Sequence, residues 1–200
     1  MIKNILFDFG NVFLEWNPRR IFSQIIPGNE LDSFMQTVWN DEWNNNLDSG
    51  ITFAENEAIL SQKYPQHRTY IAYFHAHWYD SLGDENPESI ALLADLQQAG
   101  YATYGLSNWS AETFPVARKA HPFFDTLTGI VISGEERTCK PHPEIYRILM
   151  ERYRLSPEES VFIDDRQENL DAARRLGMET VRFQSAAQVR EALKTKSVDL

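Results

Sequence analysis

Four short stretches of this chain end on residues able to do chemistry. The apolar run Ile5-Leu6-Phe7 stops at Asp8 and passes into Gly10-Asn11. The run from Tyr101 to Leu106 delivers Ser107-Asn108, a short polar loop carries Lys140-Pro141, and Val161-Phe162-Ile163 delivers Asp164-Asp165. Carboxylates gathered in one cleft repel each other unless a cation joins them, and hard oxygen ligands with room for water suit Mg²⁺. A phosphate ester brings further negative charge, which Mg²⁺ and Lys140 can neutralise. Ser107 and Asn108, with neighbouring backbone N–H groups, can hold phosphoryl oxygens. A carboxylate beside such a cation can attack phosphorus and form an aspartyl phosphate. Asp8 is the best placed of the acids, because it leaves a buried strand and enters a glycine-containing turn.

For these residues to meet, the chain has to bring strand ends together. After Gly83 it alternates strand and helix. Strands are expected at Tyr101–Leu106, Gly129–Ile132, Val161–Ile163 and Thr180–Phe183. Helices are expected from Asn86-Pro87 to Gly100 and at Ala111–Ala120, Glu144–Tyr153, Asn169–Leu176 and Ala187–Leu193, with a short turn of helix at Ser156–Glu159. Such alternation indicates an α/β fold with a parallel sheet between helical layers. Ligands of such sheets bind beyond the carboxyl ends of the strands, which is where the acids, Ser107 and Asn108 fall.

From Pro18 to about Leu82 the periodicity is helical instead. Leu31, Phe34, Met35, Val38 and Trp39 share one helical face, Thr52 with Glu55 reads as a capping box, and Tyr70, Ile71, Phe74 and Trp78 give another stripe. Trp43, beside Asn44, Asn45 and Asn46, is a candidate to pack on a sugar ring. His75 and His77, two apart, face different sides of a helix.

Composition narrows the partners. A net charge of −10 argues against a nucleic-acid or anionic-membrane surface. No apolar run approaches a bilayer span, and MIKNILFDF does not read as a signal peptide. A single cysteine, Cys139, excludes an internal disulfide and reads as a plain loop thiol. The expectation is a cytoplasmic protein, a monomer or homodimer, acting on a small molecule.

The segments FDFGNV, LSNWS, KPHPEIY and FIDDRQENLDAA resemble, in order and spacing, the four motifs of the haloacid dehalogenase superfamily of hydrolases. They look most like the bacterial branch that includes sugar-1-phosphate phosphatases. The resemblance implies a Rossmann-like core (residues 1–15 and 83–200) with a squiggle and hairpin flap after the first strand, and an inserted all-helical cap (16–82). It implies Asp8 as nucleophile with Lys140 in the catalytic set, and Asn11, Ser107, Asn108 and Lys140 against the phosphoryl group. Mg²⁺ is then held by Asp8, Asp164 and the Gly10 backbone carbonyl, with Asp165 acting through water.

The expected activity is hydrolysis of a small phosphorylated metabolite, a sugar phosphate among the candidates. Two other readings are a 2-haloacid dehalogenase-like hydrolase using Asp8 in an alkyl ester, and a weakly active metabolite-binding or regulatory protein. Most members carry a second Asp two residues after the nucleophile, as acid and base. Gly10 stands there, so turnover is slow, the substrate has a good leaving group, or the cap supplies the acid.

Overall fold

Asn4–Phe7 forms β1, and all four residues are buried. The reason lies in its two sides. Ile5 and Phe7 pack into a core with Leu92, Phe124, Ile163 and Val189, while Leu6 packs into a second with Leu106, Tyr146, Leu149 and Phe162. Successive strand residues point to opposite faces, so a strand covered on both faces reads as an unbroken apolar run. The computed structural model describes residues 1–200, the side chains of Asp41 and Glu42 excepted.

After β1 the chain makes a tight turn in which the N–H groups of Val12, Phe13 and Leu14 all donate to the Phe9 carbonyl, at 3.2, 2.9 and 3.3 Å. Asn11 takes φ 58° there, a conformation Asn tolerates better than most residues. The chain then enters β2 (Leu14–Trp16), which pairs antiparallel with β3 (Leu82–Glu85). This turn and hairpin match the squiggle and flap expected after the first strand.

Between β2 and β3 lie α1 (Arg19–Phe22), α2 (Gly28–Thr37), α3 (Asp41–Asp48), α4 (Phe53–Lys63) and α5 (Arg68–His77). They close round a core of their own, built from Phe22, Phe34, Trp39, Trp43, Leu60 and Phe74 among others. The capping box is present: Thr52 Oγ1 accepts from the Glu55 N–H and the Glu55 carboxylate accepts from the Thr52 N–H.

Then come α6 (Pro87–Gln98), β4 (Ala102–Ser107), α7 (Phe114–Ala120), β5 (Gly129–Ile132), α8 (Ser133–Glu136) and α9 (Pro143–Tyr153). The chain closes with β6 (Ser160–Asp164), α10 (Gln167–Arg175), β7 (Glu179–Arg182) and α11 (Ala186–Lys194). The five strands of the main sheet are ordered β5-β4-β1-β6-β7, all parallel. This is the expected α/β architecture. Most boundaries shift by a residue or two from the sequence expectation, and two larger differences stand out. α7 starts at Phe114 rather than Ala111, because residues 110–113 form a turn in which Ser110 Oγ accepts from Glu112 N. β3 lies at the end of the helical stretch, where no strand was expected, since Gly83, Asp84 and Glu85 carry no strand propensity of their own. No helix among the described residues is long and apolar enough to cross a membrane.

Candidate active site

β1 sits at the centre of the sheet with β4 and β6 as its neighbours. Phe7 is in register with Gly105 and Ile163, so the residues just beyond, Asp8 and Asp164, leave adjacent strands side by side. Ser107 closes β4 on the other flank. The register depends on close packing under the turn: a Cβ on Gly105 would lie 2.1 Å from Cζ of Phe9, so β4 needs a glycine at that rung.

Asp8 Oδ1 accepts from its neighbour Phe9 N–H at 2.7 Å and from Ser107 Oγ at 2.8 Å, and it pairs with Lys140 Nζ at 2.9 Å. Among the described residues Oδ2 has no hydrogen-bond partner. The ammonium also donates to Asp164 Oδ2 at 2.7 Å. Asp8, Asp164, Ser107 and Lys140 are all buried. A buried ion pair stands only when the remaining lone pairs are also satisfied, and around Asp164 they are. It accepts from both Arg166 N–H at 2.8 Å and Asn169 Nδ2, which lies 3.0 Å from each carboxylate oxygen.

Lys140 is set in place by Asn108. Its N–H donates to Asn108 Oδ1 at 2.8 Å and its carbonyl accepts from Asn108 Nδ2 at 2.9 Å, just before the cis Lys140–Pro141 bond. Asn108 lines the cavity over the site, and its amide is engaged on both sides by the Lys140 backbone, so it also positions the lysine. Asn11 is tied to the same cluster through Nδ2, 3.4 Å from Asp165 Oδ2.

Burial pushes the Asp8 carboxyl up to about 6, with Lys140 opposing and Asp164 adding to the rise. Burial also raises Asp165, with Asp164 repelling it. Burial pushes the Lys140 ammonium down, but Asp164 and Asp8 more than reverse this and its pKa ends raised. The lysine is therefore a fixed cation. Asp8, Asp164 and Asp165 each place a carboxylate oxygen within 4.8 Å of the others. Three acids against one ammonium leave negative charge unbalanced at a point lined by hard oxygen donors, a donor set that fits a divalent cation such as Mg²⁺.

A cavity of about 180 Å³ opens over this cluster, reached by Asp8, Gly10, Asn11, Ser107, Lys140 and Asp165 from below. Its other wall is helical, with Asn44, Asn45 and Asp48 from α3, and Phe53, Phe74 and Trp78. Trp43 does not line it. The expectation that its ring packs on a ligand is corrected, because Trp43 is fully buried among Phe22, Phe34, Trp39 and Phe74, with ring centroids 4.7–6.4 Å away. Its neighbours Asn44 and Asn45 reach the cavity instead. Cys139 is held as a thiol, burial pushing it up to about 11.

Three groups at the site escaped the sequence reading. Asn169 lies within FIDDRQENLDAA and folds back from α10 onto Asp164. Arg166, in the same segment, lines the cavity. Asp48, an acid at the end of a helix, offers no signal that separates it from a solvated surface residue.

Comparison with known proteins places this geometry in context. The model of the haloacid dehalogenase-like hydrolase family matches residues 2–177. A sesquiterpene phosphatase of Aspergillus oryzae is 28% identical over 186 residues, covering 88% of this chain and 87% of that protein. A D-ribitol-5-phosphate phosphatase of Bacteroides thetaiotaomicron is 24% identical over 207 residues, covering 96% and 97% respectively. A solved enzyme of the same family from Bacteroides thetaiotaomicron, in complex with magnesium and inorganic phosphate, superposes with a TM-score of 0.72. It is 26% identical and covers 92% of this chain and 95% of that one.

Proposed function

This chain belongs to the haloacid dehalogenase-like hydrolases, and from that premise we propose that it is a Mg²⁺-dependent phosphatase of a small phosphorylated metabolite, working through Asp8. In this reading residues 16–82 are a cap inserted in a core made of 1–15 and 83–200. The observation that carries the reading is the buried chain Ser107–Asp8–Lys140–Asp164, in which one carboxylate is oriented by three donors at Oδ1 and keeps Oδ2 free of protein partners among the described residues. That is the arrangement of an aimed nucleophile rather than of a structural salt bridge.

Each residue then has a task. Asp8 attacks phosphorus and takes up the phosphoryl group as an acyl phosphate, which water later cleaves. Ser107 Oγ and Lys140 Nζ, both fixed before the substrate arrives, hold phosphoryl oxygens. Asn108 keeps Lys140 in place through its backbone, and Asn169 fixes the rotation of Asp164. Asp8, Asp164, the Gly10 carbonyl and, through water, Asp165 would hold Mg²⁺, whose charge would offset that of the carboxylates and the phosphoryl group. A cavity of about 180 Å³, below the range usual for drug-sized ligands, favours a small ester such as a sugar or polyol phosphate.

The test is phosphate release from a panel of sugar, polyol and aryl phosphates with Mg²⁺ and after chelation. Activity that needs Mg²⁺ and falls to background in Asp8→Asn is expected. A chain inactive on the whole panel, or one that releases chloride from 2-haloacids without metal, overturns the reading.

A further inference from the structure

Gly10 offers no carboxyl two residues after Asp8, and the acids of the core already at the site, Asp8, Asp164 and Asp165, are the group proposed above to hold Mg²⁺. A Cβ built on Gly10 meets nothing within 4 Å, so the space that a side chain would take is open to the cavity. The proton for the leaving group has to come from elsewhere on its wall.

Asp48 stands on the facing wall. It is the last residue of α3 and lines the same cavity as Asp8, Ser107 and Lys140. It is 7% exposed, and its place is awkward for an anion: a buried acid at the negative end of a helix, facing another carboxylate. No ion pair reaches it among the described residues, and its only side-chain partner is Asn44, whose Nδ2 donates to Oδ2 at 2.7 Å. Oδ1 accepts no hydrogen bond among the described residues and is left free to carry a proton. No hydrogen bond or ion pair joins Asp48 to Asp8, Asp164 or Asp165.

Its backbone is tied to the core. Ser133 Oγ, at the start of α8, donates to the Asp48 carbonyl at 2.6 Å. Two residues on, a Cβ on Gly50 would lie 2.6 Å from the Gly134 carbonyl, and Gly50 itself takes φ 89°. Glu112 accepts from Phe53 N–H at 2.5 Å. The residue therefore belongs to the cap in sequence while its backbone is held against the core.

We propose that Asp48 is the general acid and base of this enzyme, filling from the cap the role for which Gly10 has no side chain. This rests on the phosphatase reading above. In the first half-reaction an Asp8 oxygen bonds to phosphorus and the P–O bond to the leaving group breaks. The electron pair moves to the leaving oxygen, which takes the proton of Asp48 and departs as the alcohol. In the second, water gives a proton to the Asp48 carboxylate as its oxygen attacks the acyl phosphate. The P–O bond to Asp8 breaks, its electron pair returns to the Asp8 carboxylate, and inorganic phosphate leaves. Burial, then the Asp8 charge, push the Asp48 carboxyl up to about 7, against Lys140 and Arg166. The thiol of Cys139 also faces it. A group with a pKa near ambient pH can both give and take the proton.

The experiment compares kcat/KM of the full chain and Asp48→Asn with Mg²⁺, on an alkyl phosphate and on an aryl phosphate whose phenol leaves unprotonated. This parameter covers binding and the phosphorylation of Asp8 and leaves out hydrolysis of the acyl phosphate. A loss of about 10²–10⁴-fold on the alkyl ester, against less than about tenfold on the aryl ester, is expected, with the alkaline limb of the alkyl-ester pH profile lost in the variant. Gly10→Asp in the Asp48→Asn background should recover alkyl-ester cleavage. Equal losses on both esters, or no recovery in the double variant, overturn the role of Asp48 while the phosphatase reading stands. A wild-type chain inactive on both esters removes that reading and the inference with it.

Discussion

The two walls of the cavity handle charge in opposite ways. The sheet edge packs two buried acids against one buried ammonium and satisfies every oxygen but one with protein donors. On the α3 wall Asp48 is buried with one amide partner and, among the described residues, no ion pair. The first arrangement ties its acids to a shared fixed cation and holds them in register. The second makes an ionised carboxylate unfavourable, and so keeps a proton near neutral pH. An enzyme that needs an anion to attack and an acid to protonate is served by that asymmetry.

The contrast breaks most readily at Lys140. Lys140→Ala leaves Asp8 and Asp164 buried without their shared cation, and loss of one partner of a buried pair typically costs about 3–5 kcal/mol. Urea unfolding should show a loss of that order. Mg²⁺ should raise the variant's midpoint more than it raises the wild type's, because a cation can take the ammonium's place between the acids. Equal Mg²⁺ responses would show that the cation does not enter there.

Asp48→Asn probes the other wall and should act in the opposite direction. The Asp48 carboxyl keeps its proton to about pH 7 in the folded protein, against an ordinary value of 3.8. The folded state therefore holds an extra proton between those limits, and stability falls as pH rises through the window, with the full penalty present above it. Asn at this position carries no such dependence. The variant should match the wild type near pH 4 and be more stable at pH 8, by about 2–4 kcal/mol. A gap that does not widen with pH would mean that Asp48 is ionised without cost. The smallest effect belongs to a change in the cap away from both walls. Thr52→Ala removes one half of the capping box on α4 and should cost about 1 kcal/mol, with no change in the leaving-group dependence of kcat/KM.

The same asymmetry separates what is legible in the sequence from what is not. Asp8, Ser107 and Asp164 follow apolar runs, and a parallel sheet leaves little choice about where strand ends go, so their convergence follows from the order of residues alone. The cap helices are legible too, through the Leu31–Trp39 stripe and the Thr52–Glu55 pair. What periodicity does not carry is how those helices sit on the core. Trp43 and Asp48 lie five residues apart on α3 and so on different sides of it. The aromatic turns inward to Phe22 and Phe74, while the acid, the more ordinary surface residue by type, reaches the cavity. β3 is hidden for a related reason: LGDE becomes a strand only because β2 lies beside it. Gly83 holds the clue, since a Cβ there would lie 2.2 Å from the Glu15 carboxylate.

That pairing of β2 with β3 has a consequence for how the molecule assembles. Trp16 lies opposite Leu82, so the chain leaves the core and returns to it across a single ladder. From the core's side, five helices are the loop of one hairpin. The entropy of closing a loop grows only slowly with its length, so once that rung has formed the core is nearly indifferent to how much chain hangs from it. The insert, with a hydrophobic centre of its own, can ripen on its own schedule. One scaffold could thus be fitted with a succession of different lids, each changing what enters the cavity and none asking the sheet to fold anew.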